Sequence, residues 1–575
     1  MNSILKNIIR LGLVSIYPLI LLLCAFLIWR KAVYRKAIKE NIKEIIINTL
    51  IPIIVLSLII LIFFKFEDTI YSYDYAGHWI RSLRLRSLFF DNPYAVLPTV
   101  YESMVNQDYS SLPALFNLGP IVVNTSYGFF VLSTMYAFFV PSIIVLQIIY
   151  FSLFSNKKYL PTIVILSFYP LYITLFNGEI DLVGVFFVLM VFALIIIPKF
   201  EDIDNIDNLT LNFFGFLMIF LRRWYLYSLV GLYLAYFLKY LNYYNFKPFS
   251  KKGLKDFIKI VFSGLILLFV VLFMFKPFFL RVIGNNYNET YEYYNRDHKM
   301  YYLLNFYSPA IILICIYGIY NIWKKYDKKL FLSYFITMVV IPTLMFWNIQ
   351  SFEYHHYNII NAQIILLYLI GMYELINTNK KTISITITSF LLIQTSIVFT
   401  YCPKEIPFFT KVRKTPEVME NKQEIVDFTY YLKSIMSEDW QSAYLSSSSS
   451  LFNDDMLRNS ILPDIHAPNI DTAIFDLRDG FPKDLEYVQF VITIDPIQYS
   501  DKQYQHMFDI ITNALWHEPK IKKLYNPIHS TQIGAMKLTV YERIGEWTDE
   551  TKRYFYDEMI KYYPDKTDYF AYILD

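Results

Sequence analysis

The chain has 575 residues, 55% of them hydrophobic and 19% aromatic, and its 52 Lys and Arg against 49 Asp and Glu leave a net charge of only +3. With a mean hydropathy of +0.36 it lies above the soluble globular range, which points to membrane-spanning segments. The near balance of charge gives no electrostatic footprint for nucleic acid, and none is expected as a partner.

In chain order, apolar segments approaching the roughly 20 residues that a helix needs to cross a bilayer occupy 12–30, 46–65, 122–154, 159–176, 180–198, 209–221, 224–239, 257–276, 302–322, 329–347, 358–375 and 382–400. They predict a polytopic α-helical membrane protein with about 11 to 12 spanning helices. The pair flanking Arg222 is short enough to be half-helices. The first segment lacks a small-residue cleavage site and runs straight into "WRKAVYRKAIKENIK", so it reads as a retained anchor. Cys24 and Cys315 fall inside apolar runs and Cys402 at a membrane edge, which indicates neither a disulfide framework nor a metal knuckle.

Loops rich in Lys and Arg stay in the cytoplasm. Three are clearly basic, 31–45, 240–256 and 323–329, and alternation from them also places "SNKK" at 155 and "NTNKK" at 377 inside; the acidic loop 199–208 is the exception. Residues 66–121, 176–181, 222–224, 277–301, 348–357 and everything after Thr400 then face outward. The expected organisation is an anchor helix with a basic cytoplasmic loop over 1–45, a transmembrane module over 46–402 whose outer loop 66–121 carries interfacial helices, and a soluble extracytoplasmic α/β domain over 403–575. In that last part "SAYLSS", "TAIFDL", "YVQFVITID" and "MKLTVYERI" predict strands, and "SSSSS" at 446–450 a strand-to-helix loop.

The unusual ionisable residues gather on the outer side. In "YSYDYAGHWI" at 71–80, Asp74 and His78 share one face if 74–90 is helical, either as reactive groups or as a cap and a solvent-facing histidine on an interfacial helix. In "FNGEIDLVG", Glu179 and Asp181 sit near the hydrocarbon edge, where carboxylates are costly unless paired, hydrated or bound to a cation; Mg²⁺ or Mn²⁺ suits such oxygen ligands, and a solvated turn nucleated by Asn177 and Gly178 is the other reading. Arg222 and Arg223 in "LRRWYLY" imply a helix break, an anionic partner or both, since each arginine at a helix centre costs about 2.5 to 3.5 kcal/mol. A lipid-linked phosphate is the natural anion for a guanidinium fork, with snorkelling to lipid head groups as the competing account. Glu353, His355 and His356 in "SFEYHHYNII" form a short outer loop with weak support for zinc, and adjacent histidines are not expected to face one point. Lys276, Arg281 and the tyrosine-rich stretch that follows them form an outer loop of mixed charge that reads as a flap.

The order of these features resembles the GT-C superfamily of polyprenyl-phosphate-sugar-dependent glycosyltransferases: an aspartate opening an outer loop, an interfacial helix, an acid-x-acid pair in the next outer turn, arginines deeper in the chain and a soluble outer domain. "YDYAGHW", "RRWYLY", "EYHHYNI" and "ITIDPIQYS" look like a bacterial group distantly related to the protein mannosyltransferases. The single Asp74 in place of that family's acidic pair argues against protein O-mannosylation, and the missing W-W-D motif argues against transfer to asparagine. The resemblance implies an inverting glycosyltransferase of the cell membrane that moves a sugar from an undecaprenyl-phosphate donor to an outer-face acceptor, whether a cell-envelope glycan, teichoic acid or protein. It implies Asp74 as general base, His78 beside it, Glu179 and Asp181 on metal or sugar hydroxyls, and Arg222 and Arg223 on the donor phosphate. A lipid-linked sugar flippase or polysaccharide polymerase is the alternative; a secondary transporter fits less well, because no repeated halves are seen and the charges do not lie at the midplane.

Overall fold

A computed structural model describes residues 2–107, 109–154, 157–247, 251–278, 280, 296–325, 329–348, 354–378, 381–400, 410, 412–436 and 441–575. Two compact units divide it: Met1–Phe66 with His78–Pro416, and Glu67–Gly77 with Glu417–Asp575. The boundary differs from the expected break at 403 in two ways, since the second unit starts at Glu417 and also takes in the stretch carrying Asp74.

The first unit is helical. Its elements are α1 (Asn2–Arg30), α2 (Ala32–Phe66), α3 (Tyr73–Asp91, whose first residues count with the second unit), α4 (Val96–Asn106), α5 (Tyr127–Leu153), α6 (Leu160–Ser167), α7 (Pro170–Phe176), α8 (Leu182–Ile196), α9 (Asn205–Leu221), α10 (Tyr225–Tyr243), α11 (Lys251–Met274), α12 (Arg296–Lys325), α13 (Lys329–Trp347), α14 (Asn358–Thr378) and α15 (Lys381–Val398). Among the described residues six helices are long and apolar enough to cross a membrane, within α1, α2, α5, α11, α12 and Tyr354–Asn377, and four shorter apolar helices, α8, α9, Leu332–Trp347 and Thr382–Val398, accompany them.

Some of the expected spans are interrupted among the described residues. The predicted span 159–176 divides at Phe168 and Tyr169, ahead of Pro170, which cannot donate the helical hydrogen bond. Arg222 takes an extended conformation between α9 and α10. The basic loop expected at 31–45 is instead helical: only Lys31 separates α1 from α2, and strong helix formers with a Lys36–Glu40 pair one turn apart carry the helix to Phe66, with a kink at Asn41.

Burial separates lipid-facing from central helices. Only 6% of the most apolar window of α11 is buried, against 78% for Tyr354–Asn377. Every residue of α8 is buried, as expected for a helix that is apolar all round.

Contacts at the helix ends define two faces of this unit. At one, Arg10 donates from Nε to Phe89 O (2.9 Å) and caps the end of α3, Trp79 donates to Thr125 O (2.9 Å), and Tyr101 donates to Met274 O (3.2 Å). At the other, Arg30 pairs with Asp204 (2.5 Å) and with Asp207, Lys31 joins Asp207, and Lys158 pairs with Glu44 (2.6 Å). Arg10 and Arg30 thus mark opposite ends of α1.

The second unit is α/β. Its five-stranded sheet has the order β2-β1-β3-β5-β4, with β1 (Ser442–Leu445) parallel to β2 (Asn469–Asp471) and β3 (Phe490–Asp495), and β5 (Met536–Arg543) antiparallel to β3 and β4 (Tyr525–Ile533). Central β3 is buried almost throughout. α16 (Lys422–Ile435) and α17 (Asp454–Asn459) contribute to one apolar cluster, α18 (His506–His517) and α19 (Asp549–Tyr562) to another.

Three of the four strand expectations hold in β1, β3 and β5. "TAIFDL" does not form a strand: the Asp479 carboxylate accepts from the N–H groups of Ile474 and Phe475 (2.9 Å for Phe475) and turns the chain just after β2. β4 carries no alternating apolar signal because it is a polar strand at the sheet edge, with Pro527 and an irregular register beside it, a placement that proline tolerates only at edges and bulges.

Burial pushes the carboxyls of Asp454 and Asp476 up to about 6. A raised acid favours folding while it is protonated, so this contribution is complete below the ordinary value near 3.9 and is lost as pH rises through about 6. Asp464, held down by Lys433 (2.5 Å), acts the other way and loses stability as pH falls. Hydrogen exchange of the sheet amides should therefore report a fall in stability between pH 4.5 and 7, on the order of 1 kcal/mol or more per raised group. Asp476→Asn should flatten that slope; an unchanged slope would remove Asp476 from the account.

Candidate functional site

The helix-joining turns of the first unit bring the expected residues together. Leu221 ends α9, and the extended backbone of Arg222 points its side chain back to the turn before α8, where Nε donates to Asp181 Oδ1 at 2.9 Å. Both are buried, at 6% and 3% exposure, so the break and the anionic partner that the arginine pair implied are both present. Tyr225, the first residue of α10, donates its hydroxyl to Asp181 O (2.6 Å) with Asn358 O also within reach (3.2 Å), which ties three segments together. Gly184 makes this possible, because a Cβ there would stand 2.0 Å from the Tyr225 ring.

The Glu179–Asp181 turn is built by Asn177 and by Gly178, whose φ of +69° suits glycine, with Tyr127 donating to Asn177 O at 2.8 Å. It is not solvated: Asn177, Glu179 and Asp181 are all buried. Glu179 Oε1 lies 3.6 Å from His355 Nδ1. The adjacent histidines occupy a single 3₁₀ turn, Tyr354–Tyr357, which brings their rings 3.9 Å apart although they serve different neighbours: His355 meets Glu179, while His356 packs against Trp224 and Phe346.

Two residues join the site that sequence reasoning did not assign to it. The ring of Tyr109 has the guanidiniums of Arg222, Arg81 and Arg223 at 4.8, 5.2 and 6.0 Å from its centre, with His78 edge-on at 6.2 Å. Arg223 also lies over Trp224 at 4.5 Å. Arg81 was within reach of inference, since it follows His78 by three residues and so shares its helix face. Tyr109 was not, being one of 51 tyrosines with no motif around it.

His78 is buried at 4% exposure, so it does not face solvent. Asp74, half-buried in the first turn of α3, belongs to the second unit. Lys276 is exposed, and none of the cluster's described contacts involves it. Arg281, Glu353 and Cys402 lie outside the described residues.

A divalent cation fits this arrangement poorly. Asp181 is already paired with Arg222 and Glu179 faces His355, and among the described residues no group of three or more His, Cys, Asp or Glu is placed to hold a metal. Asp181 Oδ2, buried and accepting no hydrogen bond among the described residues, is better suited to a hydroxyl donor such as a sugar. Three guanidiniums gathered within about 6 Å of one aromatic ring suit an oxyanion, above all a phosphate diester. No family model matches the chain, and no curated protein matches it either.

Proposed function

We propose that the protein is a membrane glycosyltransferase that moves a sugar from a polyprenyl-phosphate donor to an acceptor hydroxyl in the cell envelope, at the face of the first unit where the arginine cluster lies. The observation that carries this reading is the convergence of Arg81, Arg222 and Arg223 on Tyr109 beside the buried Glu179–Asp181 turn. A phosphate held by the arginines would leave as polyprenyl phosphate, its growing charge stabilised by charge-assisted hydrogen bonds. Asp181 Oδ2 would take a sugar hydroxyl. Asp74 would accept the proton of the acceptor hydroxyl as that oxygen attacks the anomeric carbon from the side opposite the phosphate, inverting the centre. No step is routed through a metal.

Reconstitution in vesicles with synthetic undecaprenyl-phosphate sugars and a cell-envelope extract tests the reading. Release of undecaprenyl phosphate with transfer of the sugar supports it. Movement of an intact donor across the vesicle without its consumption would instead establish the flippase alternative.

The reading also fixes sidedness: the arginine-cluster face and the second unit should be extracytoplasmic, and the basic face cytoplasmic. Because His356 is buried, exposed positions are the ones to probe. In a Cys402→Ser background, Val123→Cys (78% exposed) and Glu546→Cys should react with an impermeant thiol reagent in intact cells, and Lys36→Cys and Lys251→Cys only after lysis. The reverse pattern would put the arginine cluster on the wrong side for an outer acceptor.

A further inference from the structure

The chain between α2 and Asp74 is built into the second unit. Asp68 bridges Val418 in parallel, its N–H donating to Glu417 O and its carbonyl accepting from Met419 N–H, both at 2.8 Å. Glu67 accepts from the Glu417 N–H (2.6 Å), and Lys422 pairs with Asp68. Ile70, 5% exposed, packs in the apolar cluster with Phe428, Leu432, Met456 and Leu457. Asn459 donates to Tyr71 O at 2.9 Å.

The last link is the most informative. Tyr73 has a φ of +51°, a left-handed conformation that a bulky residue keeps only when its surroundings impose it. Its N–H, an orphan donor at the start of α3, is taken by Asp455 Oδ2 at 2.9 Å. Asp455 is itself held by Arg458 (2.6 Å), whose other nitrogen donates to Ile470 O in β2 (2.6 Å). A continuous series of contacts thus runs from the sheet through Arg458 and Asp455 to the residue immediately before Asp74.

We propose that Asp455 is a positioning residue, and that a task of the C-terminal unit is to hold the left-handed turn at Tyr73 from which Asp74 projects. The inference rests on the reading of Asp74 as general base. If it holds, loss of the Asp455 acceptor lets Tyr73 relax to an ordinary φ and turns the following side chain away, and a misplacement of about 1 Å costs on the order of 10²-fold in rate.

The test uses the full-length protein in nanodiscs with synthetic undecaprenyl-phosphate sugars and envelope extract, reading kcat, donor KM and amide exchange at Tyr73. Asp455→Ala should lower kcat by about 10- to 100-fold with donor KM within about twofold, and should speed exchange of the Tyr73 amide. Asp455→Asn, whose amide oxygen accepts the same N–H, should restore most of the rate. Adding Tyr73→Gly to Asp455→Ala should regain part of it, because glycine adopts positive φ without support. Equal losses in the Ala and Asn variants with no rescue by Tyr73→Gly would overturn the proposal, and so would unchanged kcat in Asp455→Ala where Asp74→Asn is inactive, leaving the general-base reading intact. Full activity of Asp74→Asn would overturn both.

Discussion

Asp74→Asn should lower turnover by about 10² to 10⁴-fold while leaving donor binding and membrane insertion in place, the usual loss when a general base is replaced by a group of the same shape that cannot take a proton. The stretch that carries it is held from Asp68 to Tyr73 by backbone pairing and by Asn459 and Asp455, and hydrogen exchange there checks that the amide leaves that hold in place. The comparison that gives the result meaning is Asp74→Glu, which retains the proton acceptor but displaces it by one methylene; it should fall between wild type and Asn. Turnover, donor affinity and hydrogen exchange of residues 67–77 are measured together. A well-folded Asp74→Asn protein with near-normal turnover would remove the base and return Asp74 to the role of a charge at a helix N-terminus, worth only a fraction of a kcal/mol to about one.

Which parts of this molecule were legible in its sequence follows from what each signal depends on. Apolar helices are announced by continuous apolar runs, and the interruption at Arg222 by the cost of putting two guanidiniums into such a run; both are local properties, although the break at Phe168 and Tyr169 inside one run went unannounced. The same reasoning fails at 31–45, where charge density reads as a loop although its Lys, Glu and Ala residues are good helix formers. It also misses the partners. That Arg222 meets Asp181 and Glu179 meets His355 depends on which turns the fold brings to one end of the helices. Tyr109 carries no mark in the sequence, because a ring that orders three arginines uses the same chemistry as an interfacial aromatic. The membership of residues 67–77 in the C-terminal unit is the most distant relation of all. It rests on backbone pairing between Asp68 and Val418 and on side-chain contacts with residues far along the chain, none of which a local pattern encodes.

Arg222 holds two positions at once, in the buried pair with Asp181 and on the Tyr109 ring, and its variants should separate these roles. Arg222→Gln alone leaves the Asp181 carboxylate buried without its counter-ion, which costs about 3 to 5 kcal/mol and should lower the thermal stability of the purified protein sharply. Asp181→Asn alone strands the arginine and should do the same. The double variant Arg222→Gln/Asp181→Asn replaces the ion pair with two amides able to hydrogen-bond to each other, so most of the stability should return, since neutral replacement of a buried pair is often close to neutral in free energy. Donor binding should not return with it. A lost charge-assisted hydrogen bond to the phosphate costs about 1.5 to 3 kcal/mol, roughly 10- to 150-fold in affinity for undecaprenyl phosphate. Arg81→Gln and Arg223→Gln should show the affinity loss while leaving Asp181 its counter-ion, since the Asp181 pair is with Arg222. If the double variant instead recovers both stability and affinity, Arg222 serves only to neutralise Asp181, and the anion site contracts to Arg81, Arg223 and the face of Tyr109.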